Sequence, residues 1–291
     1  MTRVTTTDNF KLYVEQTGSG YPIIFVHEFA GDHRSWEPQV RYFSRTNNCI
    51  TYSARGYPPS DVPDTSEHYS QEIARDDILA VLDGLEIEQA HIVGLSMGGF
   101  ATLHFGIKHP TRARSLAVCG CGYGADPNLR KSFQTEAGKI ADTIERDTMI
   151  KFADVYSEGP GRLQFRTKDP RGWTEFRNQL REHSTLGSAN TMRGVQQKRP
   201  SLYDLEEEIA AIRVPTLIMN GDEDEPCQDV GLFLKRRIRS SALVYLPNTG
   251  HACNLEEPAL FNQMCEKFFR SVEEDRWPVR EPENSDGGIL L

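Results

Sequence analysis

Three short segments of this 291-residue chain carry side chains that could together form and break an acyl bond. The first is Gly94-Leu95-Ser96-Met97-Gly98-Gly99, set between a strand-like run, His91-Ile92-Val93, and a helical run over residues 100–109. That context is what makes a G-x-S-x-G pattern informative. So tight a strand-to-helix turn needs small residues on both sides, which Gly94 and Gly98 supply. It pushes the Ser96 side chain out above a sheet, at a helix N-terminus whose dipole favours developing negative charge. A serine hydroxyl is a weak nucleophile, so it needs a base, and the base needs an orienting carboxylate. Downstream, the apolar run 215–219 ends in Asn220-Gly221-Asp222-Glu223-Asp224, which puts carboxylates at the carboxyl edge of a sheet, where open α/β sheets place their sites. The run 242–246 then ends in Pro247-Asn248-Thr249-Gly250-His251. The order Ser96, Asp224, His251 is the chain order expected of such an arrangement.

Short apolar runs alternating with longer amphipathic ones are needed to bring these segments together. Residues 22–26 (Pro-Ile-Ile-Phe-Val) are continuous and β-branched, like a strand buried on both faces. Residues 48–52, 90–95, 115–119, 215–219 and 242–246 read the same way, and 11–15 alternate like a half-exposed strand. Helical patterns fall at 36–43, 70–84, 97–108, 228–237 and 258–272, with Ser70 and Glu72 as a start signal and His109-Pro110 as a stop. The rhythm predicts an α/β fold, a mostly parallel central sheet flanked by helices.

It breaks between about Tyr123 and Leu205, where the chain is charged and reads as several helices with loops near 157–161 and 169–172. The expected organisation is a core of residues 1–122 and 206–272 and a helical cap of 123–205 inserted between the two halves of the sheet. An irregular tail is expected over 273–291.

Composition removes several function classes. With 33 basic and 42 acidic residues the net charge is −9, which argues against a nucleic-acid partner. A hydrophobic fraction of 38 % supports a real core. No run is long and apolar enough to span a bilayer, and residues 1–15 hold no apolar leader segment. A soluble, cytoplasmic protein with a small-molecule substrate is therefore expected, and a homodimer is compatible with that. The six cysteines lack any framework spacing and are expected to be buried thiols.

The elbow, the acid, the histidine and their order resemble an α/β-hydrolase-fold serine hydrolase, over roughly residues 10–272. The resemblance implies a helical cap in the inserted position, no cofactor and no metal. It implies Ser96 as nucleophile, His251 as general base and acid, and Asp224 as third member, three residues after the glycine that ends its strand. Asp222, Glu223, Asp229 and the more remote Asp126 are competitors for that last role. It further implies an oxyanion hole from the Met97 N–H, next to the nucleophile, and the Phe29 N–H in His27-Glu28-Phe29-Ala30-Gly31.

Two departures stand out. Glu28 occupies a position where the family usually has glycine, and a carboxylate facing an oxyanion opposes catalysis. It should face away, pair with Arg34 or Arg55, or contact substrate, so His27 and Glu28 join Trp173, Arg177 and Arg181 as substrate-binding candidates. In Ser53-Ala54-Arg55-Gly56-Tyr57-Pro58, Ser53 and Pro58 replace the family's Asp and second Gly, which bears on loop geometry more than on activity.

Other signals are weaker. His27-Glu28 lacks the second histidine of a zinc-protease helix, since Gly31 stands there. Gly120, Gly122 and Gly124 lack nucleotide-binding spacing. Residues 162–199 hold 9 basic to 3 acidic residues, either a solvated face or a lid that steers an anionic substrate. The reading is a hydrolase of a small ester-like substrate, with lactone, thioester, amide or carbon–carbon cleavage as alternatives on the same fold. A ligand-sensing module with an idle triad is the alternative of a different class, kept open by Glu28.

Overall fold

The structure is a computed structural model and describes residues 2–281. Eight strands form one sheet: β1 (Thr2–Thr5), β2 (Lys11–Thr17), β3 (Tyr21–Val26), β4 (Asn47–Tyr52), β5 (Ala90–Leu95), β6 (Ala113–Cys119), β7 (Thr216–Gly221) and β8 (Ser241–Leu246). Their order is β1-β2-β4-β3-β5-β6-β7-β8; β3 to β8 run parallel, while β2 is antiparallel to both β1 and β4. The mostly parallel sheet is as expected. Strand β1 was not, because Thr2–Thr5 alternates with only Val4 buried and carries no apolar run.

The period of two along each strand sorts side chains onto two faces. Ile24, Ile92, Leu116 and Ile218 face one layer of helices: α2 (Gln71–Gly84), α3 (Met97–Lys108) and α9 (Glu225–Arg237). Ile23, Phe25, Val93, Ala117 and Met219 face the other: α1 (Glu37–Phe43) and α11 (Pro258–Glu273). Each of these side chains except Ala117, fully buried, contributes about 1.5–3 kcal/mol of transfer free energy, so strand register is firmly set. Helix α2 starts where the sequence indicates, with the Ser70 hydroxyl accepting the Ile73 N–H at 3.1 Å.

Between β6 and β7 the chain leaves the sheet and forms α4 (Arg130–Tyr156), α5 (Leu163–Lys168), α6 (Pro170–Arg181) and α7 (Thr185–Thr191); α8 (Glu206–Ala210) leads back. Helix α4 is kinked at Thr148, at φ 67° and ψ 163°, and the Met149 N–H there turns to the Thr185 hydroxyl. The 169–172 loop expected from sequence is instead a helix start: Asp169 caps the Gly172 N–H at 2.9 Å and Pro170 takes the first helical position. A third apolar cluster joins this inserted segment to the sheet, packing Phe152, Phe165, Trp173 and Phe176 with Phe29, Tyr57 and Met97.

Helix α10 (Cys253–Glu256) is a single turn before α11. All six cysteines are buried thiols. Of the tail expected at 273–291, Glu273 closes α11, residues 274–281 form no helix or strand, and 282–291, with Pro282 and Asp286-Gly287-Gly288, lie outside the described residues. Among the described residues no helix is long and apolar enough to cross a membrane.

Candidate active site

Ser96 sits between β5 and α3 with φ 54° and ψ −115°, a conformation that strains any residue with a Cβ. The close packing beneath it explains the flanking glycines. A Cβ on Gly94 would lie 2.2 Å from the Gly98 carbonyl oxygen, and one on Gly98 would lie 2.1 Å from that of Val26. The Ser96 N–H is tied to Cys119 O at 2.8 Å, holding the turn to β6. Over residues 90–106 every side chain is buried except Ser96.

His251 is buried on the loop after β8, and its Nδ1 lies 2.7 Å from Asp224 Oδ2. Close approach of two loops makes this pair: a Cβ on Gly221, at the end of β7, would lie 2.0 Å from Thr249 O. Three of the four competitors are engaged elsewhere. Asp222 accepts the Thr249 N–H at 3.0 Å, Asp126 accepts the Asn128 N–H at 2.8 Å, and Glu223 meets Gln164.

Burial disfavours the His251 imidazolium, but the Asp224 charge and hydrogen bond outweigh it and raise the pKa above the ordinary histidine value. Burial likewise pushes Asp224 up, and His251 outweighs it, leaving the carboxyl below its usual range. The bond places the imidazole proton on Nδ1 and leaves Nε2 free to accept one.

Gly120, at φ 54°, lies between serine and histidine: a Cβ there would stand 3.0 Å from Leu95 and 3.4 Å from His251 Cε1. Among the described residues Ser96 Oγ and His251 form no direct hydrogen bond. In sites without substrate such bonds are often long and tighten on binding. Asp224, Cys227 and His251 present ligand atoms within 4.8 Å of one another. That donor set suits a metal poorly, since Asp224 and His251 are spent on each other and burial drives the Cys227 thiol well above its usual pKa, away from the thiolate.

The Met97 N–H opens α3, and the Phe29 N–H lies on the loop after β3; neither meets an acceptor among the described residues. The Phe29 carbonyl is held by the Tyr57 hydroxyl at 3.0 Å. His27 braces this loop: its Nε2 accepts the Ala54 N–H at 2.9 Å, so its Nδ1–H donates to Glu28 O at 2.7 Å. Burial lowers its pKa to about 4, which keeps the ring neutral and both nitrogens occupied.

Glu28 is buried and turned inward, paired neither with Arg34 nor with Arg55 but with Arg162 of the inserted segment. Arg34 is taken by Asp32 and Glu182, and Arg55 by Asp77 and Asp8. Arg162 also reaches the Tyr156 hydroxyl at 3.2 Å and lies over the Tyr156 and Phe176 rings at 5.3 and 4.9 Å. With its charge neutralised, Glu28 no longer opposes an oxyanion on electrostatic grounds. The residue before Arg162, Gly161, accepts the His251 N–H at 3.3 Å, so one turn of the insertion meets both the loop after β3 and the histidine.

Of the remaining candidates, Trp173 is tied to Ser157 O at 2.8 Å and carries Arg177 on its ring at 5.0 Å, while Arg181 is exposed beside Asp154. The sequence reasoning missed Arg162, which it counted only within a basic run, and Glu256. Glu256 is buried and accepts the Gly250 N–H at 2.6 Å and the Ala252 N–H at 2.9 Å, one on each side of His251. The Tyr123 ring packs edge-on to His251 at 4.9 Å.

A model of the family described as "alpha/beta hydrolase fold" matches residues 21–258. The chain is 28 % identical over 256 residues to 3-oxoadipate enol-lactonase 1 of Acinetobacter baylyi, covering 86 % of this chain and 89 % of that one. It is 30 % identical over 280 residues to the AB hydrolase superfamily protein YisY of Bacillus subtilis, covering 92 % and 98 %. Among solved structures, the enol-lactonase from Burkholderia xenovorans LB400 superposes with a TM-score of 0.80 at 22 % identity, covering 92 % of this chain and all of that one, and shows the likeness of fold.

Proposed function

Because this chain belongs to the alpha/beta hydrolase fold family and is a hydrolase, we propose that it cleaves a small ester-like substrate through an acyl-enzyme formed on Ser96. The observation that carries this reading is the Asp224–His251 bond at 2.7 Å, which leaves the outer imidazole nitrogen free, at the same carboxyl edge of the sheet as a strained, partly exposed serine that follows β5.

In the proposed sequence His251 Nε2 takes the Ser96 proton as Oγ attacks the carbonyl carbon. The Met97 and Phe29 amides hold the oxyanion, and Asp224 stabilises the imidazolium. His251 then protonates the departing alcohol, and water hydrolyses the acyl-enzyme by the same route. Residues 1–122 and 206–272 act as the catalytic core, and 123–205 act as a cap that shapes the chamber. The relative named as an enol-lactonase makes an internal ester a first substrate to try.

Labelling with a fluorophosphonate probe, together with turnover of activated para-nitrophenyl esters, tests the reading. The wild-type protein is expected to be labelled and to release a burst of nitrophenol, and Ser96→Ala to do neither while staying folded. Retention of both by Ser96→Ala overturns it.

A further inference from the structure

The Glu28–Arg162 pair leaves one polar group unused. Arg162 is 2 % exposed, its Nη2 serves Glu28 and the Tyr156 hydroxyl, and its Nη1 has no hydrogen-bond partner among the described residues. A desolvated guanidinium N–H without an acceptor is costly, and it lies where the insertion meets the oxyanion loop on one side and the His251 loop on the other. The surroundings say what kind of acceptor fits. Glu28 already balances the arginine charge, and Asp224 adds a buried negative charge close enough to feel the Arg162 charge. A substrate carboxylate placed on Nη1 would bring net negative charge into a region closed to water, whereas a neutral oxygen would satisfy the N–H without that cost.

We propose that Arg162, held by Glu28, is a substrate-recognition site for a neutral oxygen acceptor remote from the scissile bond, such as a ketone or ether oxygen, and that the pair disfavours a carboxylate there. Glu28 is thus the residue that sets the charge preference, and Arg162 the residue that touches substrate. This runs against the anion steering that the basic run 162–199 suggests from sequence alone. It rests on the serine-hydrolase reading only for the choice of probes.

The test measures binding and not turnover, so that it stands apart from that reading. Dissociation constants of unreactive methyl esters are measured on the Ser96→Ala protein at a pH where carboxylates are ionised. Three matched sets are used: keto-esters (acetoacetate, levulinate and the next homologue, with alkyl esters of hydroxyacetone to sample the alcohol side), the corresponding plain alkyl esters, and monomethyl dicarboxylates. A keto oxygen in at least one set is expected to tighten binding about tenfold over its alkyl counterpart, and the carboxylate to bind no better than the alkyl ester.

Adding Arg162→Met should erase the keto preference. Adding Glu28→Gln, which uncovers the arginine charge, should make the carboxylate the tightest ligand. Each single change strands a buried charge, so the uncharged pair Glu28→Gln with Arg162→Met is measured alongside and should bind all three sets alike. The proposal is overturned if the Ser96→Ala protein binds the three sets equally, if it prefers the carboxylate, or if the uncharged pair keeps the keto preference. Loss of fluorophosphonate labelling in the wild-type protein, by contrast, bears on the reaction at Ser96 and leaves the binding pattern to be read by itself.

Discussion

Glu256 grips the chain on both sides of His251, its two carboxylate oxygens accepting the Gly250 and Ala252 amides at 2.6 and 2.9 Å. The imidazole is therefore aimed by a buried carboxylate that does not touch it. Glutamine at this position keeps the shape but turns one acceptor into a donor facing an amide N–H. Glu256→Gln is expected to lower kcat roughly ten- to a hundredfold with little change in KM, and to cost about 1–3 kcal/mol of stability. Steady-state kinetics with denaturant unfolding checks this. A loss of stability with kcat unchanged would leave Glu256 a purely structural role.

Asp224→Asn preserves the volume at the third position but offers His251 Nδ1 an amide. The imidazole then loses its charge partner and its preference for the reactive tautomer. Turnover is expected to fall by about ten-thousandfold, with the circular dichroism spectrum unchanged.

The raised pKa of His251 has consequences for both rate and stability. Burial alone would lower it, and Asp224 overrides burial. The rate constant kcat/KM is therefore expected to fall on the acid side through a pKa above the ordinary value of about 6.5, and Asp224→Asn should move that limb to lower pH. A histidine whose folded pKa exceeds its unfolded one stabilises the fold when protonated. That contribution is complete below about pH 6.5 and is lost as pH rises through the folded pKa. The difference in Tm between the wild-type protein and His251→Gln, followed across pH, should shrink accordingly.

Gly98 meets Val26 O so closely that an added Cβ would sit 2.1 Å from it. Gly98→Ala is expected to cost about 3 kcal/mol and to abolish labelling of Ser96, because the turn must open to admit the methyl group. Gly159, where the nearest atom to a Cβ would be Tyr156 O at 3.1 Å and φ is −66°, is the control. Gly159→Ala, tight but without a clash under 3 Å, should cost no more than about 1 kcal/mol.

Thr148 interrupts α4 in a backbone region that favours glycine, and no hydrogen bond holds its side chain among the described residues. Thr148→Gly is expected to raise stability by about 1 kcal/mol, read from the midpoint of urea unfolding.

The legibility of this fold in its sequence was uneven, for physical reasons. Strand β5 and helix α3 were readable to the residue, because an all-buried strand, a glycine-flanked serine and a helix that stops at His109-Pro110 each leave local marks. Strand β1 was missed because edge strands bury little. The loop expected at 169–172 was misjudged because Asp169-Pro170 marks a helix start as readily as a turn.

Within the candidate site, the meeting of Asp224 with His251 was legible, since each follows its own strand. The partner of Glu28 was not. Arg162 lies 134 residues away, on a segment with no strand to index it, and nearer arginines were the natural guesses. Glu256 left no mark either, because its role depends on the path of the loop it closes.

The inserted segment departs from β6, which lies in the sheet between β5, bearing Ser96, and the β7–β8 pair that leads to Asp224 and His251. It leaves from the carboxyl end of β6 and returns to the amino end of β7, so it shares no carboxyl strand end with Ser96, Asp224 or His251. On the proposed function, descendants of this gene that rewrite residues 123–205 by drift, insertion or recombination would inherit the same chemistry with a different appetite. Among the positions tied to the core is the turn bearing Gly161 and Arg162, where Arg162 has to change in concert with Glu28. Lineages that exchange the cap are expected to carry paired replacements at those two positions.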